Sequence, residues 1–376
     1  MGLQFKAKTP EKDNLALELV FKEGIAANQP SSNEPFLPAE WFPQSGVQLT
    51  WPHSNTDWCD LLPEVTTCYL RMAFEIASRE KLVIVTPEKE KVEQCIRTHL
   101  PANVCENIVW QECNTNDTWA RDHGFITCIT KNGFELLDFR FNGWGMKFAA
   151  NWDNQINRTL FNNQVLNGNY HNHLDFVLEG GAIESDGEGT ILTTAHCLLA
   201  PNRNEPMDRN EIEHYLLKVL HARRILWLNH GYLAGDDTDS HVDTLARLCP
   251  NNTIAYVQCT DKNDEHYQEL SQMEQEIKNF RTIEGEPYTL VPLPMADAVY
   301  DDEGTRLPAT YANFLIMNQA VLMPTYNQPA NDEMAMKQLQ KAFPKHSIVG
   351  IDCRVLIQQH GSLHCCTMQY PKGVIR

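Results

Sequence analysis

Apolar residues fall into short runs separated by turn formers, and amphipathic stretches lie between them. Runs at 81–86, 108–112, 124–130, 134–141, 175–184, 190–194 and 225–228 read as strands. So do 242–248, 253–258, 289–293, 314–317, 320–324, 347–351 and 365–369. Apolar spacing near 3.6 predicts helices over 63–78, 88–98, 209–219, 264–280 and 332–343, with Asp332 as an N-cap and Pro344 as a stop. Three hairpins recur: 177–184 with 190–194 across Asp186-Gly187-Glu188-Gly189, 244–248 with 253–258, and 314–317 with 320–324. Each is followed by a helix and a further strand, which predicts a repeated strand-and-helix unit. Residues 1–36 are polar with little period and read as an N-terminal arm, with one short strand at 16–21. No later Pro/Gly/Ser-rich stretch divides the chain, so 37–376 is expected to form a single domain. No G-x-G-x-x-G follows a strand and no phosphate loop is present, which argues against a dinucleotide-binding fold.

Composition narrows the chemistry. The 376 residues are 42% hydrophobic and 21% charged, values of a globular chain. Lys plus Arg number 31 against 49 Asp plus Glu, a formal charge of −18, with no basic run. Nucleic acid and anionic membrane are therefore not expected as partners, whereas a cationic small molecule suits the field. The N-terminus has no apolar core of a signal peptide, and Lys6 stands where a myristoylation signal needs Ser or Thr. No apolar stretch is long enough to span a bilayer. Twelve cysteines without a C-x-x-C pair read as reduced thiols of a cytoplasmic protein. On that reading the N-x-S/T triplets at Asn116, Asn157 and Asn251 stay unmodified.

Four segments carry residues suited to chemistry. Trp119-Ala120-Arg121-Asp122 puts a carboxylate beside a polar stretch. That carboxylate either holds a cation in bidentate fashion or braces a loop with Arg121. Glu179-Gly180-Gly181 places an acid in an apolar run, costly unless paired, with glycines that allow close approach. It reads equally as a bulge at a sheet edge. His241 and Asp243 lie two apart after Gly235-Asp236-Asp237-Thr238, and on a strand they share a face suited to proton transfer. The same run resembles a divalent-metal loop, without the Gly and Glu positions of an EF-hand. Gly361-Ser362-Leu363-His364-Cys365-Cys366 offers a thiol nucleophile, or two small buried hydrophobes.

In this order the four segments resemble the agmatine deiminase branch of the guanidine-modifying enzymes, which includes the bacterial peptidylarginine deiminases. Trp51-Pro52-His53, Phe141-Asn142-Gly143-Trp144-Gly145, Gly187-Glu188-Gly189-Thr190 and Tyr311-Ala312-Asn313-Phe314 match as well. The resemblance covers about residues 38–371. It implies the pentein fold, a five-bladed α/β-propeller with pseudo-fivefold repeats. It implies Cys365 as nucleophile and His241 as general acid and base. Asp122 and Asp243 become the carboxylates that grip a guanidinium, Glu179 a further acid of the site, and Trp119 a wall beside the alkyl chain. No metal or organic cofactor is implied. The expected reaction is hydrolysis of agmatine to N-carbamoylputrescine and ammonia. Two departures stand out: Phe125 replaces the Pro of W-x-R-D-x-G-P, and Gln359-His360-Gly361-Ser362-Leu363-His364-Cys365 replaces G-G-G-N-I-H-C. They keep arginine, peptidyl arginine and methylated guanidines open as substrates. His123 either enters the cleft or braces it.

Two readings from other classes stand beside this one. A metal-dependent hydrolase would use Asp236, Asp237, His241 and His173. A non-catalytic binding protein would have no need of the nucleophile. The sequence leaves room for a homo-oligomer.

Overall fold

The computed structural model describes residues 34–376, so the strand expected at 16–21 lies outside the described residues. The chain first lays down β1 (Gln44–Thr50), β2 (Lys81–Thr86) and β3 (Ile108–Glu112), all parallel. The helix Leu62–Ala77 crosses from β1 to β2. The next sheet pairs β4 (Ile126–Thr130) antiparallel with β5 (Gly133–Arg140), and β5 parallel with β6 (Asn169–Val177). The pattern repeats in β7 (Ile183–Ser185), β8 (Thr190–Thr194) and β9 (Arg224–Leu228). It repeats again in β10 (Ala246–Cys249), β11 (Thr253–Gln258) and β12 (Thr289–Pro294). A small ribbon, β13 (Val299–Tyr300) with β14 (Arg306–Leu307), intervenes. Then β15 (Leu315–Ile316), β16 (Ala320–Thr325) and β17 (Ser347–Asp352) form another such sheet. Finally β18 (Thr367–Pro371) returns antiparallel to β1 and gives the first sheet the same hairpin-like edge.

Burial explains the sequence pattern. All five residues of β8 and the first five of β16 are buried, so those strands read as continuous rather than alternating runs. Crossover helices cover the sheets with one apolar stripe each, such as Leu270, Met273 and Ile277 of the helix Tyr267–Asn279. The helix Arg209–Val219 starts where the sequence places it because Asp208 and Glu211 form a reciprocal capping box. No helix among the described residues is long and apolar enough to cross a membrane. All twelve cysteines are unpaired.

Several elements differ from expectation. The helix expected from Asp332 begins at Pro329, whose fixed φ and missing N–H suit the first turn. Asp332 instead accepts from the backbone of Gln328 at 3.0 Å and from the Tyr311 hydroxyl at 2.7 Å. The run 175–184 is broken by a tight turn over Gly180–Ala182. Val242–Thr244 and His364–Cys366 are also tight turns, so neither His241/Asp243 nor Cys365/Cys366 sits in a strand. β1 went unread: it follows Pro43 directly, and polar Gln44, Gln48 and Thr50 interrupt its apolar run.

Candidate active site

The three tight turns that break the strand pattern carry the chemistry. Each ends within two residues of the start of a strand, so its side chains are held by a rigid sheet yet freed from the ladder. The short helix Ala120–His123 joins them. Gly181 marks where they meet. A Cβ there would lie 2.6 Å from His241 Nδ1, 2.9 Å from Asp122 Oδ1 and 3.1 Å from Asp243 Oδ2. Only hydrogen fits, which is the physical content of the second glycine in Glu179-Gly180-Gly181.

Asp122 is aimed by two donors. Its Oδ1 accepts from Gly181 N at 3.1 Å and its Oδ2 from the Trp144 indole at 3.0 Å. Trp144 reaches it from a left-handed run, with φ of 67° at Gly143, 54° at Trp144 and 85° at Gly145. A bulky residue in that region is strained, and the buried indole bond offsets the strain. Burial, reinforced by the Asp243 carboxylate, pushes the Asp122 carboxyl well above its usual range.

Asp243 behaves in the opposite way. Burial alone would raise it, but hydrogen bonding and charge from His364 outweigh that and hold it below its usual range. His364 Nδ1 lies 2.7 Å from Asp243 Oδ2, and its Nε2 lies 2.7 Å from Glu40 Oε2. Nδ1 donates to the Asp243 carboxylate, and Nε2 lies between Glu40 and the Arg247 guanidinium, 3.1 Å from Arg247 Nη2. Glu40 also accepts from Arg247 at 2.9 Å, and Arg247 Nε donates to Glu184 at 2.6 Å. All five side chains are buried, so their charges are paired rather than solvated. Asp243 Oδ1 has no partner.

His241 is fully buried, and neither ring nitrogen has a hydrogen-bond partner; Asp122 Oδ1 is 3.6 Å from Nδ1. Burial lowers its pKa to about 4, although Asp243 works against the shift. Cys365 is 5% exposed, and Asn313 Oδ1 lies 3.4 Å from its sulfur. That oxygen also accepts from the backbone N–H of His364 and Cys365, fixing the turn. Burial, then the Asp243 and Asp122 carboxylates, push the Cys365 thiol well above its ordinary value. Burial thus favours the neutral form of both the Cys365 thiol and the His241 imidazole.

Of the other expected residues, Trp119 is buried against Gly361, whose added Cβ would meet its ring at 2.2 Å, and against Trp58. Glu179 is close by but already engaged: its Oε1 accepts from Arg203 at 2.8 Å, while Oε2 is unpartnered. His123 braces rather than enters, with Nε2 3.3 Å from Thr50 Oγ1. Phe125 is buried edge-on to Tyr170. His360 has a φ of 66°, which explains a glycine in the motif it departs from; its ring is fixed to the Gly235 carbonyl at 2.7 Å. The metal-loop reading fails. His173 is bonded to the Tyr215 hydroxyl and stacked on Phe139, and Asp236 caps its own loop at Thr238 and Ser240. Those residues do not converge with His241.

Sequence reasoning missed Glu40, Glu184, Arg247, Asn313 and His364 as members of the site. A charged Arg247 inside Ala246–Cys249 was the readable signal, since a buried strand cation demands partners. Nothing local marks Glu40.

The chain is a mixed α/β protein of like-patterned sheets that brings a Cys, a His and paired carboxylates together. The family described as Porphyromonas-type peptidyl-arginine deiminase matches residues 36–371, and the chain belongs to it. A structure from Porphyromonas gingivalis, titled a "Putative Arginine Deiminase", is 51% identical with a TM-score of 0.86, covering 91% of this chain and 100% of that one. An agmatine deiminase of C. jejuni, solved with substrate bound, is 38% identical with a TM-score of 0.83, over 90% of this chain and 97% of that one. A Legionella pneumophila protein named "Putative agmatine deiminase" is 33% identical over 344 residues, 90% of this chain and 95% of its own.

Proposed function

We propose that the protein hydrolyses a guanidinium to a ureido group and ammonia through a covalent intermediate on Cys365, with agmatine as substrate. The observation that carries this reading is the convergence on Gly181 of Asp122, Asp243 and His241, beside the Cys365 thiol.

Asp122 and Asp243 accept the N–H pairs of the planar cation and fix its plane. Arrival of that cation offsets the burial and the carboxylate charge that together hold the thiol proton on Cys365. The proton passes to His241, which burial keeps neutral and ready to receive it. Sγ then bonds to the guanidinium carbon, giving a tetrahedral species. Protonated His241 returns its proton to one nitrogen, the C–N bond breaks, and ammonia departs. An amidino-thioether remains on Cys365. Neutral His241 next takes a proton from water, whose oxygen attacks the same carbon. The C–S bond breaks, the sulfur takes the hydroxyl proton of the tetrahedral species and becomes the thiol again, His241 gives its proton to solvent, and the ureido product leaves.

Enclosure favours a small free guanidine over a peptide-borne arginine. Cys365 is 5% exposed, and the Trp144 loop is latched by Lys147 to Asp239 at 3.0 Å. The five like-patterned sheets would then be the blades of one propeller spanning 37–376, closed by β18 on β1. A cytoplasmic site of action suits twelve unpaired thiols. A colorimetric ureido assay across agmatine, arginine, a blocked peptidyl arginine and a methylarginine tests the reading. Agmatine should give the highest kcat/KM. A higher value for the blocked peptide would overturn the assignment to agmatine, and no turnover of any would overturn the chemistry.

A further inference from the structure

Cys197 is a buried thiol that deimination does not use. It lies in the short helix Ala195–Leu198, is 0% exposed, and has its backbone held by Thr194. One ligand atom each from Glu179, Cys197 and His241 lie within 4.8 Å of one another. The other two side chains are also nine-tenths buried or more, and both have unused lone pairs: Glu179 Oε2 and both nitrogens of His241 lack partners. Arg203 binds Glu179 only at Oε1, so Oε2 is available without breaking that pair.

We propose that Glu179, Cys197 and His241 form a binding site for a borderline-soft divalent cation, Zn²⁺ above all, whose occupation switches the enzyme off. A thiolate, an imidazole and a carboxylate are the donor set of zinc, whereas Ca²⁺ and Mg²⁺ seek oxygen alone. Tetrahedral zinc places its ligands roughly 3.3–3.8 Å apart, so side-chain adjustments of about 1 Å close the triad. Binding exchanges the Cys197 thiol proton for the metal: an S–Zn bond forms, an S–H bond breaks, and one proton leaves to solvent. The dication then faces one thiolate and one carboxylate, a locally neutral unit that tolerates burial. A second cluster, Glu40, Glu184 and His364, shows the contrast. There every carboxylate oxygen already has a donor, and Arg247 supplies the positive charge that a metal ion would bring.

Zinc on His241 removes the lone pair that takes the Cys365 proton. Loss of turnover rests on the deimination reading, but metal binding does not, so the two are measured separately. The purified full chain is titrated with Zn²⁺ against a chromophoric chelator, and ureido formation is followed at the same free zinc. Cys365→Ser should bind one Zn²⁺ as tightly as the unaltered protein. Since removing even an outer partner typically costs 10–100-fold in metal affinity, Cys197→Ala should bind at least about tenfold more weakly. Without zinc, Cys197→Ala should turn over at the ordinary rate, and it should resist zinc concentrations that silence the parent. Cys197→Ser is the companion variant should the alanine form fail to fold, and Glu179→Gln read by zinc affinity alone is a third. Co²⁺ should give a thiolate-to-metal absorption band in Cys365→Ser that Cys197→Ala lacks. Equal zinc affinity in the parent and the Cys197 variants would overturn the proposal. So would loss of binding in Cys365→Ser, which would place the metal on the nucleophile.

Discussion

Gly181→Ala is the most direct probe of the site geometry. The φ of Gly181 lies outside the left-handed region, so its backbone accepts an alanine and the effect is one of space. The added carbon would stand 2.6 Å from His241 Nδ1, against roughly 3.5 Å for an ordinary contact, so something must move by about 0.9 Å. Asp122 and Asp243 are crowded as well, at 2.9 and 3.1 Å, so retreat from one meets another. Misplacing a reacting group by about 1 Å costs on the order of 100-fold, or about 2.7 kcal/mol of transition-state stabilisation. Overpacking itself costs about 1–3 kcal/mol of stability. Gly350→Ala is the control, because its carbon meets only Thr325 Cγ2, at 2.9 Å, and no site residue. The assay is kcat/KM for ureido formation at a temperature well below both melting points. Gly181→Ala should fall about 100-fold while Gly350→Ala stays within a few-fold of the parent. If Gly181→Ala retains kcat/KM within threefold, the three side chains do not act from the positions described.

Other expectations follow from the same arrangement. Cys365→Ala should abolish ureido formation with the fold intact, and loss in Cys366→Ala instead would mean the wrong sulfur was assigned. Asp243→Asn should raise KM and lower kcat together, and an unchanged kcat/KM would remove its role in gripping the cation. Because burial and two carboxylates raise the Cys365 thiol, exposed Cys59 should alkylate much faster at pH 7. Cys365 labelling should rise only as pH climbs above the ordinary thiol range, since deprotonation is what a raised pKa delays. Peptide mass spectrometry that finds Cys365 labelled as fast as Cys59 at pH 7 would contradict the neutral-thiol state. Arg247→Met should destabilise the fold by about 3–5 kcal/mol in urea titration, because Glu40 and Glu184 would lose their buried cation.

Much of this was legible in the chain. β2, β3, β8, β11 and the helix Arg209–Val219 fall where apolar periodicity puts them. The errors cluster at function. The runs 175–184, 242–248 and 365–369 read as strands because their residues are apolar and buried. Each instead contains or begins with a tight turn that presents Glu179, Asp243 or Cys365. Periodicity reports burial, not hydrogen bonding, so it cannot distinguish a buried turn from a buried strand. His241 and Asp243 do lie together, but through the turn and the Gly181 contact rather than by alternation. The two-apart spacing led to the right pair by a wrong path.

Why Asp243 depends on Glu40 follows from topology. Glu40 precedes β1, and His364 precedes β18, 324 positions away. Those two strands pair with each other, Leu49 opposite Thr367 among them, so closing the first sheet is what brings the two side chains together. His364 then passes the contact on to Asp243, which lies between the sheets of β7 and β10. No local pattern reveals this, because the partners come from the two ends of the described chain and meet only when the sheet is complete. The aim and ionisation of Asp243 are thus set by the same event that joins the ends. Glu40→Gln should therefore weaken the site more than its distance from the thiol suggests. It removes the Glu40 charge from one side of the His364 ring, and with it part of what fixes the ring that donates to Asp243. A Glu40→Gln enzyme with wild-type KM and kcat at unchanged stability would show that Asp243 holds its position without that chain of bonds.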